Sequence, residues 1–168
     1  MSEDQDLPGL EPVNPRSLGL PRGYSHGILA PADGRLLFIA GQIAWDERQR
    51  VVCDDFRGQF AQALNNVVTV LRRAGGKPQD LAQLTIYVAD RHEYLACLEE
   101  LGESYRLVMG KHYPAMALVE VQALLEPRAK VEIQGIAVIS GPAKAIGEAS
   151  GSFSVTEIRK AVSKGAGR

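Results

Sequence analysis

Phe56, Phe60, Leu64, Val67, Leu71 and Ala74 recur at intervals of three and four residues, the spacing that lays one apolar stripe along an α-helix. Asp54 or Asp55 can cap its start, and Gly75-Gly76 offer the left-handed conformation that stops a helix. A second stripe, Tyr94, Leu98, Leu101, Tyr105 and Val108, follows Asp90 and Glu93 at capping-box spacing and precedes Gly110, which predicts one more helix. Around these helices the period changes to two. Tyr24 to Leu29 and Leu36 to Gln42 predict strands of a hairpin turning at Pro31-Ala-Asp-Gly34. Leu81 to Val88 reads as a buried strand, and Tyr113 to Val121 and Lys130 to Val138 as a final pair. The order strand-strand-helix-strand-helix-strand-strand predicts an α+β subunit, one mixed sheet with two helices packed on one face. Met116, Leu118, Ile136 and Val138 alternate with Ala117, Val119, Ile133 and Ala137, so both faces of the last strands are apolar. The face without helices then needs a partner, and an oligomer is expected.

The ends lack these periods. Residues 1–22 hold Pro8, Pro12, Pro15 and Pro21 and predict an extended N-terminal arm. Residues 23–140 form the α+β domain. Residues 141–168, rich in Gly, Ala and Ser, predict a flexible tail or a short helix where Ser154 and Glu157 stand at capping-box spacing.

Composition narrows the function classes. In 168 residues, 45% are hydrophobic and 23% charged, with a formal net charge of -1; this suits one globular domain with a core of useful size and gives no pull toward nucleic acid or an anionic membrane. No apolar run is long enough to span a bilayer, and acids occupy the N-terminus where a signal peptide carries basic and apolar residues. Cys53 and Cys97 form no Cys-x-x-Cys pair and fit a reducing cytoplasm. His26, His92 and His112 lack metal-ligand spacing, and Gly75-Gly76-Lys77 lacks the rest of a phosphate loop. No metal and no cofactor are expected.

Tyr113-Pro-Ala-Met-Ala-Leu-Val-Glu-Val121 with Lys130-Val-Glu-Ile-Gln-Gly-Ile-Ala-Val138 resembles the paired strands that carry the active site in the Rid family, the YjgF-like reactive-intermediate deaminases. Gly23-Tyr-Ser-His-Gly27, Ile39-Ala-Gly-Gln-Ile43, Gln62-Ala-Leu-Asn-Asn66, Arg73-Ala-Gly-Gly76 and Thr85-Ile-Tyr-Val-Ala-Asp90 extend the match over about two-thirds of the chain, from Tyr24 to Val138. The resemblance implies a chorismate-mutase-like subunit, a homotrimer with a small-molecule cleft between neighbours, and hydrolysis of enamines and imines, such as 2-aminoacrylate, to a keto acid and ammonia without cofactor or metal.

Carried over by position, the resemblance makes Glu132 the catalytic glutamate that handles the water, and Tyr24 and backbone Gly41 parts of the pocket. The arginine that grips a substrate carboxylate becomes Met116, and the small polar and cysteine positions after it become Ala117 and Leu118; a helical asparagine falls near Leu98 or Gly102. A charge-assisted bond contributes about 1.5–3 kcal/mol, so losing the arginine costs roughly one to three decades in binding. Methionine supplies no such bond, and a cleft walled by Met116 and Leu118 expects a ligand other than a small 2-imino acid. His26, two residues from Tyr24, is the preferred replacement cation, with Lys130, Arg128 and Arg35 as alternatives. Each residue also has an ordinary reading: Glu132 and Glu120 as solvated acids, Tyr24 and Met116 as packing, Gly41 as a backbone contact, His26 as a surface side chain. The leading expectation is an enamine or imine deaminase. The alternatives are a non-catalytic metabolite-binding or regulatory trimer and, behind it, a scaffold or ribonuclease.

Overall fold

The computed structural model describes residues 9–141; the expected tail helix around Ser154 and Glu157 lies outside them. Strands β1 (Glu11–Val13) and β2 (Gly27–Leu29) form a small antiparallel pair. Strand β3 (Arg35–Gln42), helix α1 (Phe56–Arg73), strand β4 (Leu81–Val88), helices α2 (Arg91–Ala96) and α3 (Leu98–Met109), and strands β5 (Ala115–Glu120) and β6 (Val131–Ile139) make the body. The main sheet is mixed, in the order β3-β6-β4-β5, with only the β4–β5 pair parallel.

Helix α1 follows its sequence signals closely. Asp55, rather than Asp54, caps it: Gly58 N donates to the Asp55 carboxylate at 2.7 Å. At the other end Gly75 takes φ +85°, and Gly76 N donates to Leu71 O at 3.0 Å, a left-handed stop that a side chain would strain. Leu64, Val67, Val68 and Leu71 are fully buried against Leu81, Leu84, Val88, Val131 and Ile133 of the sheet. Burying each such side chain is worth roughly 1.5–3 kcal/mol, and this seam holds α1 to the sheet.

Three expectations need correction. The predicted hairpin between the Tyr24 and Leu36 segments does not form, because β2 pairs with β1 and not with β3. Part of the supposed N-terminal arm thus acts as a strand, and Ser25 instead makes a parallel bridge to Ala115 at the outer edge of β5. The second helix is broken at Cys97, whose φ of -131° is not helical; its thiol donates to Glu93 O at 3.1 Å. The short α2 is tied down separately, by Lys130 Nζ on both Glu93 carboxylate oxygens (2.6 and 2.7 Å) and by an edge-on contact of Tyr94 with Phe56. Asp90 still caps it, through His92 N, but Glu93 serves that ion pair and no capping box.

The third correction bears on the site. β5 and β6 are not neighbours, because β4 lies between them. A parallel β4–β5 pair needs a crossover, which α2 and α3 supply; residues 121–130 are then too long for a tight hairpin and carry the chain back across β4 to β6. Register follows from this order. Met116 pairs with Leu84 and Leu118 with Ile86, both buried under the helices. Met116 and Leu118 therefore share the helix face with Ile133 and Ala137, not the opposite face with Ile136. Glu132, between buried Val131 and Ile133 and opposite Tyr87, points to the face that no helix covers.

Candidate functional site

The sequence-nominated residues fall into three groups. The first is Gly41 with Glu132. Pairing of β3 with β6 runs from Ile39–Gly135 to Gln42–Ile133, so three residue steps on β3 match two on β6. The extra residue is a β-bulge, and it brings the Gly41 backbone against the half-buried Glu132 side chain. A Cβ at position 41 would overlap the carboxylate, with Glu132 Cδ only 2.7 Å away. Glycine here leaves room for the carboxylate in its observed position, and its dihedral angles do not call for it.

The second group is Met116 with Leu118, in a cleft of about 330 Å³ between the end of the sheet and the helices. Phe60, Ile86, Tyr94, Leu98 and Leu101 supply most of its apolar wall. Tyr105 and Tyr113, also in the wall, stack with ring centroids 5.4 Å apart and planes 8° from parallel. Tyr105 donates its hydroxyl to His112 O at 2.8 Å. Burial pushes the Tyr94 phenol up and the Tyr105 phenol up further, so both stay neutral near pH 7 and neither serves as a base.

The third group is Tyr24 with His26, whose rings meet edge-on at 5.3 Å. Their shared direction was legible in the spacing, but neither residue lines the cleft. Ser25 between them is buried, its hydroxyl donating to Tyr113 O at 2.7 Å and its amide to Pro114 O at 3.0 Å. These bonds fasten the segment to the edge of β5 beside the cleft, which Gly23 lines.

Within one chain the first two groups cannot meet. Glu132 is on β6 and Met116 on β5, with β4 between them, so they are two strand spacings apart, about 10 Å. They also lie on opposite faces of the sheet.

Among the described residues, none of the expected replacement cations lines this cavity. Lys130 is held by Glu93, and Arg128 Nη2 meets Asp54 at 2.8 Å. Arg35 pairs with Ile139 at the far end of β3, and the His26 ring lies 3.3 Å from Gly19 O. Instead, Arg22 and Arg106 line the cleft around Met116. Arg106 was hidden in sequence because it reads as the polar side of an amphipathic helix, and Arg22 because it sits in a proline-rich segment without a period. Glu120 is also accounted for: it accepts from Arg91 N at 2.9 Å at the start of α2, where an acid complements the helix dipole. Among the described residues, no cluster of three or more His, Cys, Asp or Glu is arranged to hold a metal, and no helix is long and apolar enough to cross a membrane.

The family model described as Endoribonuclease L-PSP matches residues 17–139. The chain belongs to this family. Its Rid branch is represented among similar solved structures by the protein YyfB of Yersinia pestis, described as of unknown function in the conserved Rid protein family. That structure superposes with a TM-score of 0.68 at 32% identity, covering 78% of this chain and 99% of the other. A RutC family protein of Pyrococcus horikoshii is 34% identical over 115 residues, 68% of this chain and 85% of the relative. A 2-iminobutanoate/2-iminopropanoate deaminase of Salmonella typhimurium is 32% identical over 105 residues, 62% of this chain and 80% of the relative. The expected Rid resemblance and fold are therefore correct, with three helices rather than two against the sheet.

Proposed function

We propose that this Rid-family protein is a cofactor-independent deaminase of an enamine or imine larger or more apolar than a small 2-imino acid. It would work in clefts formed between copies of the chain in a homotrimer. The observation that carries the catalytic half is the Glu132 carboxylate seated against bare Gly41 in the β3 bulge. The deaminase relative supports the reaction class.

The chemistry needed is modest. Glu132 accepts a proton from water as the water oxygen bonds to the electrophilic imine carbon, giving a tetrahedral carbinolamine. That proton passes to nitrogen as the C=N π pair moves there, completing the amino group. The hydroxyl proton is then relayed through Glu132 to the amine, so that the C–N bond breaks with its pair on neutral ammonia as the C=O bond forms. An enamine first takes a proton at its β-carbon to become the imine. The backbone at Gly41 offers polar groups close to the attacked carbon, at a point no side chain obstructs.

The same geometry supports an assembly. Glu132 and Gly41 belong to the open face of the sheet, and the Met116 cleft belongs to the other face at the β5 edge. A second copy can bring one half to the other. The open face also carries Phe38 (71% exposed) and Leu36 (63% exposed), apolar groups that an interface would cover.

The test is ammonia release from a panel of imines generated in solution, from 2-aminoacrylate to aryl-substituted analogues. Acceleration is expected to favour the bulkier members, and no acceleration with any of them would remove the deaminase reading. Gly41→Ala is expected to keep its circular dichroism and lose at least about tenfold in turnover, because the new methyl displaces the carboxylate from its position. A second reading, a metabolite-binding or regulatory trimer, is favoured by the thioether at residue 116. It predicts thermal stabilisation by a small molecule without ammonia release.

A further inference from the structure

We propose that Arg22 and Arg106, from two separate elements, form an anion clamp on the Met116 cleft and select carboxylates that carry an apolar body. The proposal rests on the cleft reading above and extends it to a ligand class.

The two guanidinium groups approach the cleft from separate places. Arg22 comes from the segment that Ser25 pins to β5, and Arg106 from the last turn of α3; both line the same cavity as Met116 and Leu118. Among the described residues neither has an ion pair, unlike Arg50, Arg91, Arg128 and Lys130, whose charges meet acids. Their hydrogen-bonding capacity is thus available to a ligand.

Gly102 provides an independent observation. It stands inside α3, four residues before Arg106, where glycine lowers helix stability. Its φ is not among the positive values, so no turn requires it. What glycine does here is leave room. A Cβ at 102 would lie 3.2 Å from Arg106 Nη1 and 3.9 Å from Cζ, so the guanidinium lies along the bare helix surface at the cleft wall. An arginine projecting straight into solvent would not need that space.

The walls specify the rest of the ligand. A cavity of about 330 Å³ is at the lower end of the range that takes drug-sized molecules, and exceeds what a three- or four-carbon acid fills. With the charge held by Arg22 and Arg106, the hydrocarbon part meets Met116, Leu118 and the stacked Tyr113. An arginine at residue 116 would hold the carboxylate deep against the sheet. Moving the cations to α3 and the Arg22 segment favours a longer, aryl- or alkyl-bearing acid.

The test uses the full-length protein and two probes of equal shape, 3-phenylpropanoate and its uncharged amide, titrated by calorimetry. The acid is expected to bind about tenfold or more tightly than the amide, an advantage that shrinks as salt is raised. Arg106→Gln and Arg22→Gln should each lower acid affinity by roughly three- to tenfold and leave the amide unchanged, and the double variant should remove the preference. Gly102→Ala should raise the melting temperature yet weaken acid binding. Equal binding of acid and amide, no binding of either at millimolar concentration, or a preference that survives the double variant would overturn the clamp. An arginine-dependent preference in a protein that turns over no imine would support the clamp while removing the deaminase reading. Imine turnover without the preference would remove the clamp alone.

Discussion

Glu132→Gln is expected to lower imine turnover by about 10²- to 10⁴-fold while the protein keeps its fold, its assembly and its ligand affinity. Glutamine has nearly the same shape, so it can occupy the space beside Gly41 that the carboxylate fills. It cannot take a proton from the attacking water. The other acid considered, Glu120, is engaged at the start of α2 by the Arg91 amide, and the cleft phenols are held neutral by burial. Among the described residues, neither Glu120 nor these phenols is placed to take over the proton. Ammonia release at saturating substrate measures the loss, and calorimetric binding of a non-hydrolysable carbonyl analogue checks that the cleft is intact. A variant within threefold of the parent would assign water activation to another group.

Phe38→Asp is expected to dissociate the assembly. Phe38 is 71% exposed and adds nothing to the core of its own chain, so the isolated subunit should keep its circular dichroism. In an interface the loss of a buried phenyl costs roughly 1.5–3 kcal/mol before the burial of an unpaired charge is added. Association should weaken by about two decades or more per interface. Sedimentation would show a folded monomer, and because Glu132 and the Met116 cleft lie on opposite faces of one chain, turnover should fall with the mass. An oligomer of unchanged size would place the interface elsewhere.

The parts of this molecule legible in the sequence are those governed by local rules. The α1 stripe, its aspartate cap and the Gly75-Gly76 stop all lie within one helix, where spacing alone determines what meets what. The Rid strands were readable because their residue order is specific. Strand pairing was less accessible, since the two apparent hairpins depended on connections that spacing does not encode. β1 took the partner expected for β3, and β4 was inserted between β5 and β6. That insertion decides which face Met116 occupies, and it puts Met116 on the face opposite Glu132. Gly41 and Glu132 were nominated by resemblance, and their contact arises from a bulge that no composition rule signals. Arg22 and Arg106 were missed for a related reason: each is ordinary in its own segment, and only the fold sets both beside Met116.

In the proposed assembly one catalytic site draws Glu132 and Gly41 from one copy and the Met116 cleft from another, an arrangement that subunit mixing would reveal. Glu132→Gln lacks the base, and Met116→Trp fills the cleft, so each variant alone should release ammonia slowly. If the two are combined, dissociated and reassembled in equal amounts, random mixing in a closed ring gives roughly one quarter of the clefts both halves intact. Recovery of about a quarter of parental turnover is expected; mixed assemblies, verified by mass, that stay as inactive as the separate variants would overturn the shared site.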